Sequence, residues 1–327
     1  MTLRPPKEIL TGAARMSSLQ IVPFSEIHLD GAAELLAARH MRHRAALDPV
    51  APGDPLAALE TLWRRQGVAG AVGLRAGKVA SFILAEVAER AVFGRSAWVG
   101  HAGHATNDDE LLRDVYAAAA DVWVGAGAER HYVLVPAFPQ ALAPWYRLGF
   151  GHMHTEALRS LSNVPRMAPA GITLRLGTRA DLESAEEIDL EIFLLQERSP
   201  SFARLPLDRD ARRAEWLEID LNEDGLRYLV AEANGDLVGH TIIYRPEPVL
   251  GYPQDAAYLA STAVRPHLRG RGIGEALVAE ILRVAAEAGY GSVVTNWRMT
   301  NLSASRFWPA RGFRPIYHRL HRTIGVG

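Results

Sequence analysis

The sequence predicts an α+β fold built twice: two similar halves, each a mixed, mostly antiparallel sheet with helices on both faces. Three observations carry this reading. The halves end alike, since "ALAPWYRLGF" (residues 141–150) and "ASRFWPARGF" (residues 304–313) align at an offset of 163 (304 − 141), pairing Trp145 with Trp308, Gly149 with Gly312 and Phe150 with Phe313. Each half also holds one hairpin signal, "RAGKV" (75–79) and "ANGDL" (233–237), between runs of strand-forming residues. Finally, "VRPHLRGRGIGEALV" (264–278) joins an apolar stretch to a helix-periodic one, so a strand–loop–helix–strand crossover interrupts the antiparallel order.

In the second half the elements follow in order. Strand "ITLRLG" (172–177) leads to a helix opened by "TRADLESAEEIDLEIF" (178–193), where Thr178 or Asp181 can cap and acidic residues fill the first turn. A second helix is expected around "DRDARRAEWLEI" (208–219), then strand "LRYLVAEA" (226–233), the hairpin turn, strand "DLVGHTIIYR" (236–245) and strand "AAYLASTAV" (256–264). After the glycine loop, Leu277, Ile281, Val284 and Ala288 recur at helical spacing, Val278 and Leu282 widen the stripe, and Gly289 ends it. Strand "GSVVTNW" (291–297), a short helix (303–310) and a last strand near "PIYHRLHR" (315–322) complete the half.

The division into domains follows from the same pattern. "LSNVPRMAPAGI" (161–172) breaks periodicity with Pro165, Pro169 and Gly171, giving a first domain at 1–160, a linker at 161–170 and a second domain at 171–327.

Composition bounds the function. With 327 residues, 48% hydrophobic and 22% charged, two soluble globular domains are expected. The net charge of −1 argues against a nucleic-acid-coating protein. Zero cysteines exclude disulfides, thiolate metal sites and cysteine nucleophiles, and no metal is expected. No apolar run reaches membrane-spanning length and "MTLRPPKEIL" lacks the apolar centre of a signal peptide, so a cytoplasmic location without a membrane partner is the expectation.

Chemistry concentrates in the glycine loop. The first turn of a helix leaves backbone N–H groups unpaired at the positive end of its dipole, which favours phosphate. Gly270, Gly272 and Gly274 let an anion approach those groups, and Arg265, Arg269 and Arg271 add positive charge. The alternative is a glycine-rich connection with solvated arginines. The alternating glycines match neither the dinucleotide G-x-G-x-x-G pattern nor a P-loop, and no Lys-Ser or Lys-Thr follows them.

At these residues the second half resembles the GNAT superfamily of acyl-CoA N-acyltransferases. Its R/Q-x-x-G-x-G/A loop is matched by Arg269, Gly272 and Gly274, and its later Asn, Ala, aromatic and Gly-Phe positions by Asn301, Ala304, Trp308, Gly312 and Phe313. The resemblance spans residues 171–322 and implies two GNAT-like domains, each with a splayed central strand pair. It implies acetyl-CoA as cosubstrate, its pyrophosphate on Arg269, Gly270, Arg271, Gly272, Ile273 and Gly274. Its pantetheine arm would lie on strand "LASTAV", with a backbone N–H near Ala263 or Val264 for the oxyanion, and Asn301 and Arg306 alongside.

The family's usual acid, a Tyr, is replaced here by Trp308, so Tyr317 and Tyr258 become the candidate acids. His240, Glu247 and Asp255 are candidate bases, and Glu187, Glu191, Phe193 and Gln196 candidate acceptor contacts. Each has a structural alternative: Asn301 as a helix cap, the tyrosines as packed residues, His240 as a strand histidine.

The first half differs where the loop belongs. "HAGHATNDDELLRDVY" (101–116) offers Thr106 or Asn107 as cap and Asp108, Asp109 and Glu110 as dipole partners, so this copy is expected to be degenerate and without CoA. The expected activity is transfer of an acetyl group to a primary amine of a small molecule or peptide by the second half, in a chain that could pair as a homodimer. The rival is a non-catalytic acyl-CoA sensor or partner-binding protein.

Overall fold

The computed structural model describes residues 19–90, 92–162, 171–203 and 208–325. Most of the expected linker (163–170) and the first 18 residues lie outside them.

The first half runs β1 (Leu19–Pro23), a 3-10 turn, α1 (Leu29–Ala46), α2 (Pro55–Trp63), β2 (Val68–Arg75), β3 (Lys78–Ala88), β4 (Ser96–Val99), β5 (His104–Thr106), α3 (Asp109–Gly125), β6 (Arg130–Pro136), α4 (Pro139–Arg147) and β7 (Gly151–Ser160). The second repeats it: β8 (Thr173–Leu176), a 3-10 turn, α5 (Leu182–Gln196), α6 (Arg209–Leu217), β9 (Arg227–Ala233), β10 (Asp236–Tyr244), β11 (Ala256–Val264), a 3-10 turn, α7 (Ile273–Glu287), β12 (Ser292–Arg298), α8 (Leu302–Ala310) and β13 (Arg314–Thr323).

Local chemistry explains the repeat. Both hairpins turn through two consecutive positive-φ residues, Ala76 (52°) and Gly77 (77°), then Asn234 (52°) and Gly235 (88°), the turn whose twist suits paired strands. Capping boxes at Ser25 and Thr178 start the first helix of each half. The repeated Trp and Gly-Phe residues close α4 and α8: Gly149 and Gly312 take positive φ, Phe150 and Phe313 bond back to the carbonyls of Trp145 and Trp308, and each ring pair meets edge to face.

The two sheets are not separate. One 13-stranded sheet runs β1-β2-β3-β4-β6-β13-β7-β12-β11-β10-β9-β8, with β5 paired to β3. The last strands are exchanged: β13 of the second half pairs with β6 of the first, and β7 of the first pairs with β12 of the second. At the centre β7 meets β13 antiparallel, Thr155 opposite His318, Glu156 opposite Tyr317 and His154 opposite Arg319. Those six residues form three pairs related by the 163-residue offset, so a pseudo-twofold axis passes between Thr155 and His318. Leu134, Leu158, Val294, Ile316 and Tyr317 form one buried cluster across the seam. Each such side chain stabilises by about 2 kcal/mol, which binds the halves into a single packing unit. Among the described residues, only β4–β6 and β11–β12 are parallel, one pair per half.

Candidate active site

The site is built where β11 leaves its parallel neighbour. Ala256–Leu259 stay in register with Ser292–Thr295 of β12. Against β10, however, Ile242 faces Ser261 while Ile243 faces Leu259, so Ala260 is an extra, bulged residue and the strand bends away. Beyond it the edge of β11 toward β12 is open. Arg265 N–H bonds to Val238 O of the neighbouring β10 segment. Alternate residues of an antiparallel pair turn the other way, so Thr262 and Val264 aim their backbone groups into the gap. Arg269 Nε donates to Val264 O at 3.0 Å, leaving the two N–H groups and the Thr262 carbonyl facing the gap.

The loop then delivers α7. Gly270 (φ 77°) and Gly272 (φ 82°) occupy left-handed backbone, and a Cβ on either would meet nothing within 4 Å. Gly272 is the N-cap and supplies no side chain; the first helical bond is Ala276 N–H to Gly272 O. The N–H groups of Ile273, Gly274 and Glu275 therefore have no helical acceptor. Arg269 and Arg271 are exposed beside them, while Arg265 is anchored on Leu237 O and lies 3.8 Å from Glu187. Phe307 of α8 lies 3.7 Å from the Cβ position of Gly274, so α8, with Arg306 exposed on it, flanks the loop.

The first half closes both features. Asp108, not Thr106 or Asn107, caps α3: its Oδ1 accepts from Glu110 N and Leu111 N, and its Oδ2 pairs with Arg75 at 2.7 Å, which holds its carboxyl below the usual range. Thr106 supports the turn through Asp108 N–H instead. Arg147 pairs with Asp109 and Glu110. Across the corresponding gap His104 Nε2 bonds to Leu134 O of β6 at 3.0 Å, and buried Arg39 donates to the carbonyls of His101 and His104. Side chains fill the slot that stays open between β11 and β12.

A parallel strand pair splayed by a bulge, with a bare helix N-terminus at its mouth, is the arrangement that family comparison resolves. Residues 190–313 match the model described as the acetyltransferase (GNAT) family. A GNAT-family domain thus lies in the C-terminal region, at residues 190–313. Among solved structures, a GCN5-related N-acetyltransferase from Sphaerobacter thermophilus is 17% identical with a TM-score of 0.64, over 94% of this chain and 96% of that one. A tandem GNAT protein from the clavulanic acid biosynthesis pathway is 18% identical with a TM-score of 0.52, over 95% and 100%. A glucosamine N-acetyltransferase region of a fungal multi-domain β-N-acetylglucosaminidase is 15% identical with a TM-score of 0.57, over 93% of this chain and 38% of that one. No curated protein sequence is similar enough to name as a relative. The chain thus carries the GNAT fold in a tandem arrangement. Among the described residues no helix is long and apolar enough to cross a membrane.

The sequence-predicted residues separate into those at the gap and those elsewhere. Gly270, Gly272, Ile273, Gly274, Arg269 and Val264 converge on it. Ala263 faces His240 in register and turns its backbone toward β10, so the amides at the gap are those of Thr262 and Val264. Asn301 caps α8, its Oδ1 accepting from Ala304 N at 3.1 Å. Trp308 is core, packed on Phe307 and Phe313.

Tyr258 stands at the vertex of the gap, two residues before the bulge, and its hydroxyl accepts from Asn296 Nδ2 of β12. Burial and the charge of Glu156 hold its pKa well above the ordinary tyrosine value. Tyr317 is not beside β12, because β13 is exchanged onto β6. It is fully buried, its hydroxyl donates to Leu250 O at 2.8 Å, and burial pushes its pKa up to about 12. His240 sits behind β11 in the α5–α6 core, edge-on to Trp216 and 3.6 Å from Asp189, with burial lowering its pKa. Asp255 opens β11 at the end away from the gap, and Glu247 is exposed in the preceding loop. Of the candidate acceptor contacts, Gln196 accepts from Arg298 Nε at 3.0 Å and Phe193 lies under Arg212.

Several polar residues at the gap were not foreseen. Ser261 donates to Asp189, which Arg212 also holds, tying the bulge to α5 and α6. Glu156 stands opposite Asn296 although it comes from the first half; it accepts from Tyr252 at 2.7 Å and pairs with His101 at 2.8 Å, which keeps its pKa down at about 2 despite burial. The repeat offset was the available signal: Glu156 and Arg319 are equivalent positions of opposite charge, and they meet across the seam at 3.7 Å.

Proposed function

We propose that the chain is an acetyl-CoA-dependent N-acetyltransferase whose second half transfers an acetyl group to a primary amine, in units of 1–160 and 171–327. The observation that carries this reading is the pairing of an uncapped α7 start with the open edge of β11. The N–H groups of Ile273, Gly274 and Glu275 suit the pyrophosphate, with Arg269 and Arg271 beside it. The Val264 amide suits the pantetheine arm as an added strand would, and Thr262, nearer the vertex, suits the thioester carbonyl. Arg306 flanks the nucleotide end.

A neutral amine attacks the carbonyl, the N–C bond forms as the C–S bond breaks, and the thiolate takes a proton. Tyr258 is the donor this geometry favours. Asn296 occupies one lone pair of its oxygen, its own hydrogen is left to donate, and its raised pKa keeps that hydrogen in place at neutral pH. The amine's proton leaves to water. The degenerate half supplies structure and one wall of the acceptor region through β7.

Thiol release from acetyl-CoA over a panel of amines tests this. Turnover that disappears in Gly272→Glu is expected. CoA binding without turnover on any amine would instead favour a sensor.

A further inference from the structure

Resting on the reading of the gap as the acetyl-transfer site, we propose that the acceptor carries an oxyanion, a carboxylate or a phosphate, which Arg298 and Arg319 hold while its amine reaches the thioester. The strand exchange creates this site. His154 on β7 is paired on one side with Arg298 of β12 and on the other with Arg319 of β13, so the three side chains stand on one face of three adjacent strands. With strands about 4.8 Å apart, the two arginine backbones lie roughly 10 Å from each other, close enough for their guanidiniums to grip one anion.

The donors are under-used. Arg298 Nε is taken by Gln196, and buried Arg319 Nε has no partner. Among the described residues the one carboxylate within 4 Å of either guanidinium is Glu156, at 3.7 Å from Arg319, and its other oxygen is committed to Tyr252 and His101. His154 between them is half-buried with Nδ1 unpartnered, and desolvation and both arginines keep it neutral, so it adds no charge of its own. Two half-buried cations side by side with spare N–H groups are costly unless an anion completes them. The Trp98 ring lies 5.0 Å under Arg319 and stacks on Tyr132, a rigid floor that aims the fork.

The spacing sets the substrate's shape. Arg298 lies two residues beyond Asn296, on the same face and about 7 Å along the strand, so amine and oxyanion are separated by a short chain. A carboxylate or phosphate fits the fork in bidentate fashion, whereas a plain alkylamine leaves it empty.

The test compares aminocaproate, hexylamine and an aminoalkylphosphonate of the same length as acceptors for the full chain. kcat/KM for one of the two acids should exceed that for hexylamine at least tenfold, through KM, and the preferred acid identifies carboxylate or phosphate. Arg298→Gln should bring the ratio to about one, and Arg319→Gln should do the same if it folds. Equal use of hexylamine by the native chain, or an unchanged ratio in Arg298→Gln, overturns the proposal. Should no amine turn over, the transfer reading fails but the anion site is still decided by quenching of Trp98 fluorescence with the two acids, Trp98→Phe serving as the blank. Quenching lost in Arg298→Gln supports the site, and no quenching in the native chain removes it.

Discussion

Replacing Gly272 by alanine separates anion binding from backbone strain, because α7 carries a matched control at its other end. Gly272 (φ 82°) and Gly289 (φ 88°) are both left-handed, and a Cβ at either meets nothing within 4 Å. Alanine at either position should therefore cost the same strain, roughly 1–2 kcal/mol. That corresponds to a Tm lower by roughly 2–4 °C in each variant. The consequences for CoA should differ. At position 272 the methyl group enters the space an anion must cross and the strained cap tilts the N–H groups of Ile273 and Gly274, weakening charge-assisted hydrogen bonds worth about 1.5–3 kcal/mol each. Losing one raises the CoA Kd roughly tenfold to a hundredfold. Calorimetric titration of CoA into both variants reads the difference. Equal CoA affinity in Gly272→Ala and Gly289→Ala, at equal loss of Tm, would show that the loop does not hold the pyrophosphate.

Three further outcomes are expected. Tyr258→Phe should lower kcat by about tenfold or more with CoA affinity unchanged, and an unaltered kcat would remove Tyr258 as the acid. Acid should destabilise the fold before carboxylates titrate: His43 is buried with its pKa lowered to about 3 from 6.5, and His131 and His318 to about 4, so the unfolded chain binds more protons between those values and stability falls as pH drops below 6.5. For His43 alone the loss at pH 5 is about 2 kcal/mol, and thermal melts between pH 7.5 and 5 should show it; a flat Tm would contradict neutral burial. Separately expressed fragments 19–162 and 171–325 should form a one-to-one complex on mixing, since each lends its last strand to the other. Sedimentation showing two non-interacting monomers would argue against the exchange.

Most of the second half was legible because its signals are local. Strand β11 falls on "AAYLASTAV", Gly289 ends α7 in left-handed backbone, and Thr178 closes a capping box, each set by residues within a few positions. The glycine loop was legible for the same reason. Strand exchange was not, because β7 and β13 are repeats of one pattern and either could pair with β6 or β12 on hydrophobic alternation alone. That single choice moved Tyr317 to the buried seam and brought Glu156 and His154 beside β12. The bulge at Ala260 was also silent, since it depends on the register with β10. Asp108 displaced Thr106 and Asn107 as cap because Arg75, distant in sequence, fixes its carboxylate.

Backbone amide hydrogen exchange with and without CoA tests the central claim most directly, because it reads the site and the half together. Protection is predicted at Thr262, Val264 and Ile273–Glu275, with no change at residues 104–111 of the first half. Protection of the α3 start, or none along β11, would contradict the account.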